Sequence, residues 1–209
     1  MSQAIPVTVA DAAETIAAVT THRYDGSQAL FRQAKARSLA AQRFAREAKQ
    51  EQAAGSSGME RKQRERDAVI ATLILAQGAA EGYANWVFLQ ADIIPSGTWV
   101  DRWCGLRNAA SSLGRDDRFG LPKEHRTFFQ ELDAWRNYLL HSDEKSRNSL
   151  RRALEVQGHT DLSNEVDLLD SAYAVSVMAR TEAACRWAEP LTGVPAPFLR
   201  GAWVATDEC

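Results

Sequence analysis

The chain has 209 residues, 45% of them hydrophobic and 25% charged, with a formal net charge of −2. That length buries a substantial core without requiring a second domain, and that balance excludes wholesale disorder, so residues 1–209 are expected to form a single domain. Cys104, Cys185 and Cys209 form no CxxC or His-paired spacing; this argues against a disulfide framework or a zinc site, and they read as free thiols.

The opening residues show neither the basic start nor the apolar run of a secretory signal, and no lipidation motif is visible, which predicts a cytoplasmic location. Residues 1–26 form an N-terminal segment, weakly helical at best. A long helix is expected over residues 27–53, with Ser27 as its N-cap and Gly55-Ser56-Ser57-Gly58 ending it. Residues 23–66 hold 11 Lys/Arg against 5 Asp/Glu, a local +6, and the remainder holds 14 against 22, or −8. This excess permits attraction to a phosphate backbone without requiring it.

The second helix is expected over residues 59–91. It opens on the charged run E-R-K-Q-R-E-R-D and turns apolar, with one charge in the 22 residues 68–89. About 20 apolar residues suffice to cross a bilayer, but Gln77, Glu81 and Asn85 lie inside the stretch, and a mid-membrane carboxylate is costly. No membrane span is expected. A helix apolar nearly all round is instead the buried centre of a bundle. Shorter helices follow over residues 98–112 and 122–141, the latter opening on Pro122 with Glu124 in its first turn. Two more cover residues 143–155 and 164–187. The core therefore spans residues 27–188, and residues 189–209, which contain Pro190, Pro195 and Pro197, form an extended C-terminal arm. No run alternates as a strand would, so the class is all-α, an antiparallel helical bundle. Trp86, Trp99, Trp103 and Trp187 sit at helical spacing and read as core residues.

Two charges stand out on helical wheels. With Leu132 at zero, Phe128, Trp135 and Leu139 fall within about 60° on one side and Phe129 and Leu140 within about 80° on the other, which puts Arg136 at about 40°, inside the apolar sector. A buried guanidinium needs an anionic partner. With Ile70 at zero, Glu81 falls at about 20°, the only charge in the most apolar stretch. The expectation is an ion pair between Glu81 and Arg136. Asp133, Asn137 and His141 share one ridge at i, i+4 spacing. Arg136 lies about 140° from His141, so the two converge on one ligand only through a kink near Leu140 or a second subunit.

The segment Arg136-Asn137-Tyr138-Leu139-Leu140-His141 fits the pattern R-N-x-x-x-H. Together with an upstream core helix carrying Glu81, it resembles the HEPN family, the higher eukaryotes and prokaryotes nucleotide-binding domains. The resemblance extends over roughly residues 27–188, with its specific part in these two segments. It implies a helical bundle that forms a homodimer around a composite cleft and, in active members, metal-independent RNA cleavage. Arg136, His141, Asn137 and Glu81 are then the expected catalytic residues, with no cofactor and no metal. His141 would move a proton at the ribose 2′-OH or the leaving 5′-oxygen, Arg136 would hold the phosphate, and Asn137 would orient phosphate or imidazole. RNA is the implied substrate, and an antitoxin or defence-system protein an implied partner. The residues after His141 are Ser142, Asp143 and Glu144, without the modifiable tyrosine of some toxin members. The alternative is a non-catalytic helical module that binds RNA, a nucleotide or a protein.

Overall fold

A run rich in Ala, Arg and Gln with no proline favours one uninterrupted helix, and in the computed structural model α1 spans Val9–Ala53. The structure describes the backbone of residues 9–159 and 164–196, and within those ranges the side chains from residue 26 onward. The helix begins well before residue 27, which corrects the expected N-cap. Ser27 lies mid-helix, 4% exposed, and its hydroxyl donates to the Ala79 carbonyl of the next helix at 2.9 Å.

A short turn through Gly55 and Gly58, both at positive φ, leads into α2, Met59–Gln90. The two helices are antiparallel: Ser27 meets Ala79 and Gly82, while Arg61 reaches Glu47 and Glu51 at the other end. Their close approach follows from small side chains. Ala76, Ala79, Ala80 and Ala84 are fully buried on α2, and a Cβ on Gly82 would stand 2.8 Å from the Ser27 Cβ.

The expected helix over residues 98–112 is two helices, α3 (Trp99–Cys104) and α4 (Leu106–Ser112), divided at Gly105. Thr98 and Asp101 close a reciprocal capping box on α3. Then come α5, Lys123–His141, entered through Pro122, and α6, Glu144–Val156, capped by Asp143. A separate 3-10 turn, Glu165–Leu168, replaces the start of the helix expected at residue 164, and α7 runs Ser171–Thr192.

α7 also outlasts its expected end. Pro190 lies in its last turn, where it removes the bond an N–H there would give the Arg186 carbonyl, and Gly193 at φ 70° closes the helix by donating to the Glu189 carbonyl at 2.9 Å. The expected arm therefore starts after Thr192. Its described part packs back on the bundle: Val194 is 4% exposed and Ala196 fully buried, and the Tyr83 hydroxyl donates to the Val194 carbonyl. Residues 1–8 and the rest of the arm, residues 197–209, lie outside the described residues.

α2 is the centre of this all-helical assembly and touches α1, α3, α4, α5 and α7. One contiguous core includes Trp103, Phe128, Phe129, Leu132 and Trp135. Each such aliphatic or phenyl side chain contributes roughly 1.5–3 kcal/mol on leaving water. Of the four tryptophans expected there, Trp99 and Trp103 are buried, whereas Trp86 and Trp187 are half-buried at its edge. No helix among the described residues is long and apolar enough to cross a membrane.

Candidate functional site

Glu81 and Arg136 do not pair. Glu81 is half-buried and takes Arg102 of α3 at 3.1 Å; the same guanidinium reaches Asn85 at 2.8 Å and the Gly97 carbonyl at 3.2 Å. Arg136 is exposed, with no hydrogen bond or ion pair among the described residues. The reasons differ for the two helices. Because α2 is apolar nearly all round, its wheel does not select a face, and the buried side is the alanine-rich one, which leaves Ile74 43% exposed. For α5, a wheel gives azimuth but not height. Phe129, on the same side as Arg136, is covered by Trp99 and Trp103 at 5.1 and 4.6 Å. About three turns later that side is open, and Leu140 is 60% exposed.

The fully buried charge of α5 is Glu131, which the wheel left outside the apolar sector. Its carboxylate accepts from the Tyr173 hydroxyl and from Arg180 Nη1 at 2.9 Å, both on α7. The Arg180 guanidinium lies over the Phe128 ring, 4.2 Å from its centroid. This network fixes α5 against α7.

On those last turns, Asn137 is half-buried and donates to Asp133 at 3.2 Å, while Asp133 also accepts from the Trp99 indole N–H at 2.9 Å. The shared ridge is thus real, and Asn137 is held by it. His141 is the exposed final residue of α5. There is no kink at Leu140: the break comes at Ser142, whose φ is 51° and whose N–H donates to the Tyr138 carbonyl at 2.9 Å. Arg136 and His141 of one chain therefore stand about 140° apart around the axis and roughly 7.5 Å apart along it.

The turn returns the chain as α6 beside α5. Asp143 accepts from the Ser146 N–H at 2.6 Å. That backbone bond first, then the Ser146 side chain and the nearby charges of His141 and Lys145, hold its carboxyl below the usual carboxylate range. Leu150 and Leu154 are the buried residues of α6, and its four cations divide. Arg151 and Arg147 turn to Glu165, the latter at 4.0 Å. Glu165 is 2% exposed; burial acts to raise its pKa, but its own backbone N–H and the two arginines outweigh it and hold the group low. Lys145 and Arg152 lie on the opposite ridge, exposed and without a hydrogen bond or ion pair among the described residues.

That ridge borders two hollows. One, of about 490 Å³, lies between α3, α5 and α6 and is lined by Asp101, Gln130, Asp133, Ser149 and Arg152 among others. The second, of about 580 Å³, is lined by Glu144, Lys145, Asn148, Ser149 and Arg152. Ser149 and Arg152 belong to both. On the α5 wheel Gln130, Asp133, Asn137 and His141 share one side, and the α5 lining of the first hollow runs from Thr127 to Ala134, about two turns short of His141. No protein-family model, no curated protein and no solved structure matches this chain. Among the described residues no three His, Cys, Asp or Glu side chains group as a metal site would.

The sequence reading missed Lys145, Arg152 and the Asp101/Asp133 wall. The signal was present in α6: placing Leu150 and Leu154 inward puts Lys145, Asn148 and Arg152 outward on one ridge.

Proposed function

We propose that this chain is a metal-independent endoribonuclease of the HEPN type, with a site that joins Arg136 of one copy to His141 of a second. The observation that carries this reading is the placement of Arg136 and His141, both exposed and without an ion pair among the described residues, in the last two turns of α5. A guanidinium and an imidazole exposed on the last turns of one helix, with Lys145 just after the turn that follows, are the groups that in-line phosphodiester cleavage uses. The exposed Leu140 beside Arg136 gives a second copy an apolar surface to cover.

In this reading His141 takes the proton from a ribose 2′-OH. The freed oxygen attacks the adjacent phosphorus, a 2′,3′-cyclic phosphate forms as the bond to the 5′-oxygen breaks, that oxygen takes a proton from water, and His141 passes its proton to the hydroxide left behind. Arg136 donates to the non-bridging oxygens as charge gathers there. Asn137 and Glu81, occupied by Asp133 and Arg102, serve as positioning residues at most. Their engagement is also what favours a second reading, a helical module that binds RNA without cleaving it.

The test uses Arg136→Ala and His141→Ala proteins on mixed RNA in EDTA. Each alone is expected to be inactive. Mixed and re-associated one to one, they should regain about a quarter of the wild-type activity, since half of the dimers then hold one intact site of two. Mixtures that stay inactive beside an active wild type refute the shared site. A wild type inactive on every RNA tried, or cleavage unaffected by both substitutions, refutes the catalytic reading.

A further inference from the structure

We propose that the hollow between α3, α5 and α6 is a base-reading subsite for single-stranded RNA, which takes a nucleobase with an exocyclic amino group while Lys145 and Arg152 hold the neighbouring phosphates. The assignment rests on RNA being the ligand, as in the reading above, and adds what the site distinguishes.

The two walls of the hollow differ in chemistry. On the α6 side Arg152 lines the hollow, and Lys145, seven residues before it on the same ridge with Asn148 between them, lines the adjoining hollow to which Arg152 also belongs. Neither has a hydrogen bond or ion pair among the described residues, whereas Arg147 and Arg151, on another side of the same helix, meet Glu165. A sorted ridge of this kind follows a backbone better than an evenly basic surface does.

On the opposite wall the side chains are acceptors. Asp133 takes one bond on each oxygen, from Trp99 and from Asn137, and each carboxylate oxygen keeps a further lone pair. Asp101 Oδ2 takes the Thr98 N–H and hydroxyl at 3.0 and 2.7 Å; no bond to Oδ1 is formed among the described residues. Those Thr98 bonds, side chain first, keep the Asp101 carboxyl below the usual range, so Asp101 stays anionic at neutral pH.

An anionic wall selects bases that present N–H groups. Cytosine and adenine bring an exocyclic amine, and carboxylate to cytosine N4 is a recurrent pairing, as is carboxamide to adenine, which Gln130 can supply. Uracil has one N–H between two carbonyls, and those would face carboxylates. In a duplex the amino edges are already paired, so the strand must be single. Val100, Ala134 and Val156 complete the lining with apolar surface for a base face, and about 490 Å³ lies within the roughly 300–1,000 Å³ of small-ligand pockets.

The experiment is fluorescence polarisation of the full chain with labelled 2′-O-methyl nonamers of A, C and U. The modification blocks attack by the 2′-oxygen, so binding is read whether or not the chain cleaves. The C and A oligomers are expected to bind about tenfold or more tighter than U. Lys145→Ala/Arg152→Ala should weaken all three about equally, by roughly tenfold, since phosphate contacts carry no sequence information. Asp133→Asn should bring C and U within about threefold of each other. Gln130→Ala, at an exposed position, should lower A binding alone and does not depend on a shared fold with the Asp133 variant. Equal affinity of wild type for the three oligomers overturns the subsite, as does unchanged binding by the Lys145/Arg152 variant. Base-selective binding without cleavage of unmodified RNA sinks the catalytic reading and leaves the subsite standing; cleavage with base-blind binding does the reverse.

Discussion

Removing the charge of Glu131 is the most direct test of what holds α5 in place. Glu131→Gln keeps the shape and an acceptor for the Tyr173 hydroxyl but replaces a charge-assisted bond from Arg180, 2.9 Å long, with a neutral one. Such bonds contribute about 1.5–3 kcal/mol. Arg180 is 29% exposed and lies on Phe128, so it keeps its aromatic contact and part of its hydration. The expected loss is about 2 kcal/mol, or roughly 4–8 °C in Tm for a chain of this size. Arg180→Met should cost more, about 3–5 kcal/mol, because it leaves a carboxylate at 0% exposure without its cation. The double variant should recover about 1–3 kcal/mol relative to the sum of the singles. Thermal and urea unfolding followed by circular dichroism measures all three. The reasoning is refuted if Arg180→Met costs no more than Glu131→Gln, or if the two effects add within about 0.5 kcal/mol.

Gly82→Ala places a methyl 2.8 Å from the Ser27 Cβ and forces α1 from α2, endangering the bond from Ser27 to Ala79. Urea unfolding should show a loss of about 1–3 kcal/mol, whereas Gly114→Ala, with open space but a φ of 70°, tests backbone strain without a clash. The pH dependence of stability should carry a histidine signature. Burial against Trp187, 5.7 Å away, is the main cause that lowers the His125 pKa from 6.5; Glu124 opposes it and Arg180 adds to it. The unfolded chain then binds the proton more readily, so stability is complete above about pH 6.5 and falls as pH drops through the lowered folded value. Denaturant midpoints between pH 7.5 and 5 should flatten in His125→Gln, and an unchanged slope would rule His125 out as the source.

The sequence by itself determined the class and most of the helix ends, because these depend on local chemistry. The spacing of apolar residues sets a helix wherever it occurs, and Pro122, Asp143 and the Gly55–Gly58 turn act on their immediate neighbours. Boundaries that tertiary contacts override were read less well: α1 passes through residue 27, and α7 continues past Pro190 into a Gly193 cap. Legible too were the ridge from Asp133 through Asn137 to His141 and the absence of a membrane-length apolar helix among the described residues. The pairing of charges was not legible. A wheel ranks azimuth within one helix, whereas Glu81 meets Arg102, and Glu131 meets Arg180, across contacts made by other elements at a given height. Arg136 had an apolar azimuth but lies beyond the point where α3 covers α5, and only the packing of Trp99 and Trp103 against Phe129 decides where that cover ends. Likewise, the division of the α6 cations into two held by Glu165 and two left free arises from a glutamate fourteen residues beyond Arg151, which no local pattern in α6 contains.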